Sequence, residues 1–169
     1  MKKPGVREEI DILCLQETRN SQNIRESRKN YTWFFSGEGG RNEYTAGVGM
    51  VISSKFMQYI EDIEPVNDRL MYATLRGTIE CNIICTYMPP AERQTNPERL
   101  VEDKDKAYDE IQKVIDKTKN KGPMYICGDW NARLIYPTST EEEGIIGKHT
   151  MHEDSSVLDL SLRFLRQTP

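Results

Sequence analysis

The feature that most restricts this chain is a succession of short apolar, β-prone runs, each cut off by turn formers or charges. "DILCLQ" (11–16), "YTWFF" (31–35), "GVGMVIS" (47–53), "MYATLRG" (71–77), "NIICTYM" (82–88) and "MYICG" (124–128) are separated by Gly, Pro, Asn and charged clusters. Runs this short, bounded this way, read as strands and not as helices. They predict at least six strands, with "MYICG" as a buried one. Helical spacing is confined to two later segments. In "LVEDKDKAYDEIQKVIDKTKN" (100–120), Ala107, Ile111, Val114 and Ile115 share a face, charges take the other, and "KGP" stops the helix. In "SSVLDLSLRFLRQ" (155–167), Leu158, Leu162 and Leu165 share a side and Ser155 or Ser156 provides a cap. Strands in hairpin-like succession with helices inserted late predict an α+β fold packed in layers, not a doubly wound parallel sheet.

The 169 residues suit one domain, and 37% hydrophobic against 30% charged residues allow a modest core. With 23 basic and 27 acidic side chains the net charge is -4, so any nucleic-acid binding must come from a local basic rim. No run is apolar enough to cross a bilayer, and "MKKPGVREEI" lacks the apolar stretch of a secretion signal. A soluble intracellular protein is the expectation, nuclear or cytoplasmic being open. Cys14, Cys81, Cys85 and Cys127 each lie inside an apolar run without a C-x-x-C pair, which points to buried reduced thiols and away from zinc.

Two strand ends carry chemistry. In "DILCLQETR" the apolar run gives way to Gln16, Glu17 and Thr18; alone, Glu17 reads as one more solvated acid. In "MYICGDWN", Gly128 permits a bend, and Asp129 and Asn131 point to one side if the chain stays extended. A carboxylate and an amide facing one cavity suit Mg²⁺, which prefers hard oxygens and takes one or two carboxylates plus substrate phosphate. By itself "GD-x-N" fits an ordinary turn equally well.

Taken together, "LCLQET", "GVGMVIS", "IICTYMPP" and "YICGDWN", in that order and spacing, resemble the endonuclease/exonuclease/phosphatase (DNase I-like) superfamily. The nearest likeness is to the endonuclease domains of non-LTR retrotransposons, which are encoded with a reverse transcriptase. The resemblance runs from about Asp11 to the chain end. It implies a four-layer α/β/β/α sandwich that hydrolyses phosphodiesters, DNA above all, with Mg²⁺ or Mn²⁺. On that resemblance Glu17 binds the metal, Asp129 orients or activates the attacking water, Asn131 contacts the phosphate and Tyr87 reaches the scissile phosphate. Arg19, Arg41 and Arg93, in loops after the motif strands, are the candidates for phosphate contacts. Glu17, Asp129 and Asn131 are therefore expected to converge on one cavity with Tyr87 at its margin.

Parts of the family pattern have no counterpart. No W-N strand precedes "QET", and neither the closing aspartate nor the Asp-His pair is found. The chain thus reads as a single incomplete domain over 1–169, partial in its sandwich, with little nicking activity of its own and with open sheet edges that invite self-association. His149 and His152 in "IGKHTMHED" read as a polar loop and not as the missing histidine; "AGVGM" lacks the third glycine of a dinucleotide fingerprint; the charged helix from Lys104 to Lys121 reads as a solvated face. Three functions stay open: an endonuclease of a retrotransposon-like element with impaired activity, a phosphatase of the same superfamily, and a non-catalytic remnant that binds nucleic acid or a partner.

Overall fold

The computed structural model describes residues 10–37, 46–90, 96–119, 122–132 and 140–144. The chain divides into two compact units, Met1–Tyr87 with Val114–Gly128, and Met88–Lys113 with Asp129–Pro169.

The first unit is built on two sheets. Strands β1 (Ile12–Leu15), β2 (Ile24–Arg28), β3 (Tyr31–Ser36) and β4 (Val48–Ser53) form an antiparallel sheet in the order β1-β4-β3-β2, with Met50 opposite both Cys14 and Phe34. Strands β5 (Ile60–Asn67), β6 (Leu70–Leu75), β7 (Cys81–Tyr87) and β8 (Met124–Asp129) form the other, in the order β5-β6-β7-β8. The Asn82 N–H donates to Pro123 O and the Met88 N–H to Asp129 O, both at 2.9 Å. Both strands advance six residues between these bonds (82 to 88, 123 to 129), so β8 runs parallel to β7. A parallel neighbour needs a crossover, and helix α1 (Pro97–Thr118) supplies it. A single turn, α2 (Thr140–Glu143), follows later.

The architecture is α+β, as the runs predict. Val48, Met50 and Ile52 of β4 alternate toward the same core as Met71 and Ala73 of β6 and Cys85 and Tyr87 of β7. Two inner faces interdigitating in this way define a sandwich, and burial of Val48, Met50, Ile52 and Met71 contributes roughly 1.5–3 kcal/mol each. Strands β4 and β6 are buried along their whole length, which is why their sequences run apolar almost without alternation. On the outer face of the second sheet the buried polar groups are paired. Thr74 Oγ1 donates to Asn82 Oδ1 (3.1 Å), and Asn82 Nδ2 donates to Thr118 O in the last turn of α1 (3.3 Å).

Several expectations change. Each of the six apolar runs falls on a strand, but β2 ("IRESR") and β5 ("IEDIEPVN") are additional. Among the described residues both are outer strands, with one neighbour each, and outer strands favour charge and proline over an apolar pattern. "MYICG" is not a buried strand either: β8 is the opposite outer strand, Tyr125 is 58% exposed, and Cys127 is exposed where a buried thiol was expected. All four cysteines are free, and Cys85 is the fully buried one. Helix α1 starts at Pro97, three residues before the apolar periodicity. Proline at the first helical position leaves no N–H unpaired, and Asn96 Oδ1 accepts from the Glu98 N–H at 2.9 Å as a cap. Nor is the face of α1 at Lys104 solvated. Lys104 is 3% exposed, on the stripe that continues through Tyr108, Ile111 and Ile115. The helix expected over 155–167 lies outside the described residues.

Candidate active site

In the first unit, β1 ends at Leu15 and the chain turns sharply. Glu17 and Arg19 have left-handed backbone, φ 51 and φ 53, a conformation that non-glycine residues adopt only when held there. The hold is main-chain: Thr18 N–H donates to Gly47 O (3.0 Å), Arg19 N–H to Ala46 O (2.8 Å), and Gly47 N–H to Asp68 O (2.7 Å). Gly47 itself has φ 99, and a Cβ there would run into Thr18 Oγ1. The first glycine of "GVGM" is thus the residue that lets this loop lie against the "QET" segment.

Tyr87, 1% exposed at the end of β7, donates its hydroxyl to Glu17 Oε1 at 3.0 Å. Glu17 itself is exposed. Arg69, on the turn between β5 and β6, places its guanidinium 5.1 Å from the Tyr87 ring centre and donates to Tyr87 O at 3.5 Å. Sequence reading passed over Arg69; its signal was the "VNDRL" turn ahead of an apolar run, where Asn67 Oδ1 accepts from the Arg69 N–H at 2.8 Å. Behind the acid, Gln16 Nε2 donates to Cys85 Sγ (3.5 Å), and the Cys85 thiol donates to Leu15 O (3.5 Å), tying the end of β1 to β7. The neighbouring Cys85 sulfur, together with burial, pushes the Cys14 thiol up, so it stays protonated.

In the second unit, the end of β8 is a side-chain construction. Gly128 precedes it, packed so tightly on β7 that a Cβ would overlap Thr86 O. The chain does not continue extended: Asn131 is left-handed at φ 45, and Asp129 Oδ1 accepts from the Asn131 N–H at 2.9 Å. Asp129 and Asn131 are therefore brought together by an Asx turn, not by strand alternation, because a short acid can bond the backbone two residues on. Asn131 Nδ2 donates to Met88 O (2.7 Å), and Lys104 Nζ donates to Asn131 O (3.2 Å). The Trp130 ring stacks on Tyr108, centroids 6.3 Å apart at 20°. Burial lowers the pKa of Lys104 below the ordinary lysine value.

Glu17 and Tyr87 are thus bonded to each other in the first unit, and Asp129 and Asn131 in the second. Arg19 is exposed. Arg41, Arg93, His149 and His152 lie outside the described residues.

A family model described as the Endonuclease/Exonuclease/phosphatase family matches residues 2–149. The chain belongs to that family. Among solved structures, the crystal structure of the Xenopus laevis APE2 catalytic domain is similar at a TM-score of 0.62 and 17% identity, over 93% of this chain and 58% of that one. At that identity the likeness speaks for the fold, a DNase I-like sandwich, and this chain spans 58% of the length of that structure. No curated protein matches it. Members of the endonuclease/exonuclease/phosphatase family generally depend on a divalent metal. A hard cation takes oxygen donors, and Glu17 is an exposed carboxylate that accepts from Tyr87 on Oε1. Among the described residues there is no cluster of three or more His, Cys, Asp or Glu side chains. Mg²⁺ takes one or two carboxylates and keeps its waters. No helix among the described residues is long and apolar enough to cross a membrane.

Proposed function

We propose that this chain is a divalent-metal-dependent DNA phosphodiesterase, the endonuclease of a retrotransposon-like element, and that its two units are parts of one domain. The observation that carries the reading is the exposed Glu17 carboxylate, fixed at a strand end by the buried Tyr87 hydroxyl and, among the described residues, bonded through Oε1 alone. The match over residues 2–149 spans both units and supports one domain.

Glu17 would hold Mg²⁺ or Mn²⁺, and a cation bound there neutralises the non-bridging oxygens of the phosphate. Tyr87 spends its proton on Glu17, so its role is to aim that carboxylate. Asp129 keeps Oδ2 for a water after Oδ1 has taken the Asn131 N–H, and orients that water for attack. Asn131 has one amide hydrogen bonded to Met88 O; the other can meet a phosphate oxygen as charge builds on it. Arg19 and Arg93 remain proposed phosphate contacts, and Arg69, stacked on the Tyr87 ring, joins them.

Supercoiled-plasmid nicking with Mg²⁺ and protein in excess tests the reading. Conversion to nicked circles, stopped by EDTA and reduced about 10²- to 10⁴-fold in Asp129→Ala, is the expected result. Equal nicking by Asp129→Ala would refute the assignment. DNA binding without cleavage would favour a nucleic-acid-binding protein, and hydrolysis of a phosphomonoester alone would favour a phosphatase.

A further inference from the structure

Helix α1 carries a residue whose burial has a cost that packing does not explain. Lys104 is 3% exposed. Among the described residues its ammonium has no carboxylate partner, and its hydrogen bond goes to a carbonyl oxygen, Asn131 O, at 3.2 Å. A buried, unpaired ammonium is expensive, and an apolar side chain of similar length would fill the volume without that penalty. Lys104 and Tyr108 are four residues apart and so share one face of α1. Tyr108 stacks on Trp130 and Lys104 bonds the next residue, so two consecutive residues of the turn are gripped from one helix face. Between them these contacts reach the peptide that follows the left-handed Asn131, where the backbone is costliest to hold.

We propose that Lys104 is a positioning residue for phosphodiester hydrolysis: through Asn131 O it fixes the left-handed turn that sets the Asn131 amide against the Asp129 carboxylate. The proposal rests on the reading of Asp129 and Asn131 given above. Lys104 touches neither substrate nor metal; it acts through the turn. Its loss lowers the rate of the chemical step and leaves DNA affinity alone, because a small misplacement of preorganised groups costs rate first.

The test uses the full chain as wild type, Lys104→Met, Lys104→Arg, Asp129→Ala and Asp129→Ala/Lys104→Met, each with its melting temperature measured. Single-turnover nicking is followed across protein concentrations. Lys104→Met should lower the maximal rate about 10- to 100-fold, with the half-saturating concentration within about twofold. Lys104→Arg, which keeps a donor, should recover most of the rate. In the Asp129→Ala background Lys104→Met should remove nothing more, since groups acting as a unit are not additive. An unchanged maximal rate in Lys104→Met, a shift in half-saturation alone, or a second full loss in the double variant would each overturn the proposal. If Asp129→Ala nicks like wild type, or wild type does not nick, the reading of the site fails, and amide exchange then judges Lys104 independently. Faster exchange of the Asn131 amide in Lys104→Met by about tenfold, with Ile126 unchanged, upholds the grip on the turn. Unchanged Asn131 exchange overturns it.

Discussion

The end of β1 and the end of β8 each deliver an acid out of a strand and each place a non-glycine residue in left-handed backbone, Glu17 at φ 51 and Asn131 at φ 45. They are held by different means. The β1 end is fixed by main-chain bonds to residues 46 and 47 and by a glycine whose missing Cβ makes the approach possible. Beyond the main-chain bond from the Met88 N–H to Asp129 O, the β8 end is fixed by side chains: Asp129 on the Asn131 N–H, Asn131 on Met88 O, Lys104 on Asn131 O, and Tyr108 on Trp130. Asparagine tolerates left-handed backbone better than glutamate does, so the β1 end needs the stronger external hold. Side-chain truncation should therefore loosen the β8 end readily, and the β1 end should yield chiefly to a change at the glycine.

The largest effect should come from Gly47→Ala. It combines a strained φ of 99 with overlap at Thr18 Oγ1 and should cost at least about 2 kcal/mol. A thermal melt should record a Tm lowered by roughly 4–8 °C, and an unchanged Tm would erase the contrast. Next, Asn131→Gly and Asn131→Ala separate the backbone of the β8 end from its side chain. Both lose the bond to Met88 O, but only alanine meets the left-handed penalty, so it should be less stable than glycine by about 1–2 kcal/mol in urea unfolding. Equal stabilities would mean the turn does not hold φ 45. Smaller again, Tyr87→Phe removes the hydroxyl's bond to Glu17 and should cost about 0.5–1.5 kcal/mol, while raising the Mg²⁺ concentration needed for half-maximal nicking.

The smallest effect lies away from both ends and serves as a control. Glu64 accepts from Lys117 (2.6 Å) and Tyr72 (2.5 Å), and these bonds, Lys117 first, hold its carboxyl below the ordinary 4.5. A carboxylate with a depressed folded pKa stabilises above its unfolded value and loses that contribution as pH falls through the folded one. Lys117→Met should therefore flatten part of the stability loss below pH 4.5 and change little at neutral pH, as exposed pairs do. Denaturant midpoints across that pH range measure it.

How far the sequence discloses this molecule depends on where each residue sits. Interior strands β4 and β6 are legible because burial on both faces forces continuous apolar runs. Outer strands β2 and β5 are not, because solvent on one edge permits Arg25, Glu26, Asp62 and Pro65 to take the place of that pattern. Glu17, Tyr87, Asp129 and Asn131 stand out as candidates by the order and spacing of their motifs. Their fixings do not: which backbone carbonyl Asn131 bonds, and that Arg69 lies against Tyr87, follow only from register and turn geometry. Lys104 stood between. It occupies the apolar stripe four residues before Tyr108 and seven before Ile111, but a lysine among "EDKDK" reads as surface until the stripe is traced through it.

The proposed function assigns Glu17 and Asp129, at two differently held strand ends, to one hydrolytic reaction. Single-turnover plasmid nicking by wild type, Glu17→Ala, Asp129→Ala and Glu17→Ala/Asp129→Ala in Mg²⁺ tests it most directly. Each single variant should fall nearly as far as the double, because a reaction that needs both groups is already lost with one. Nicking that survives either single substitution, or losses that multiply cleanly in the double, would contradict it.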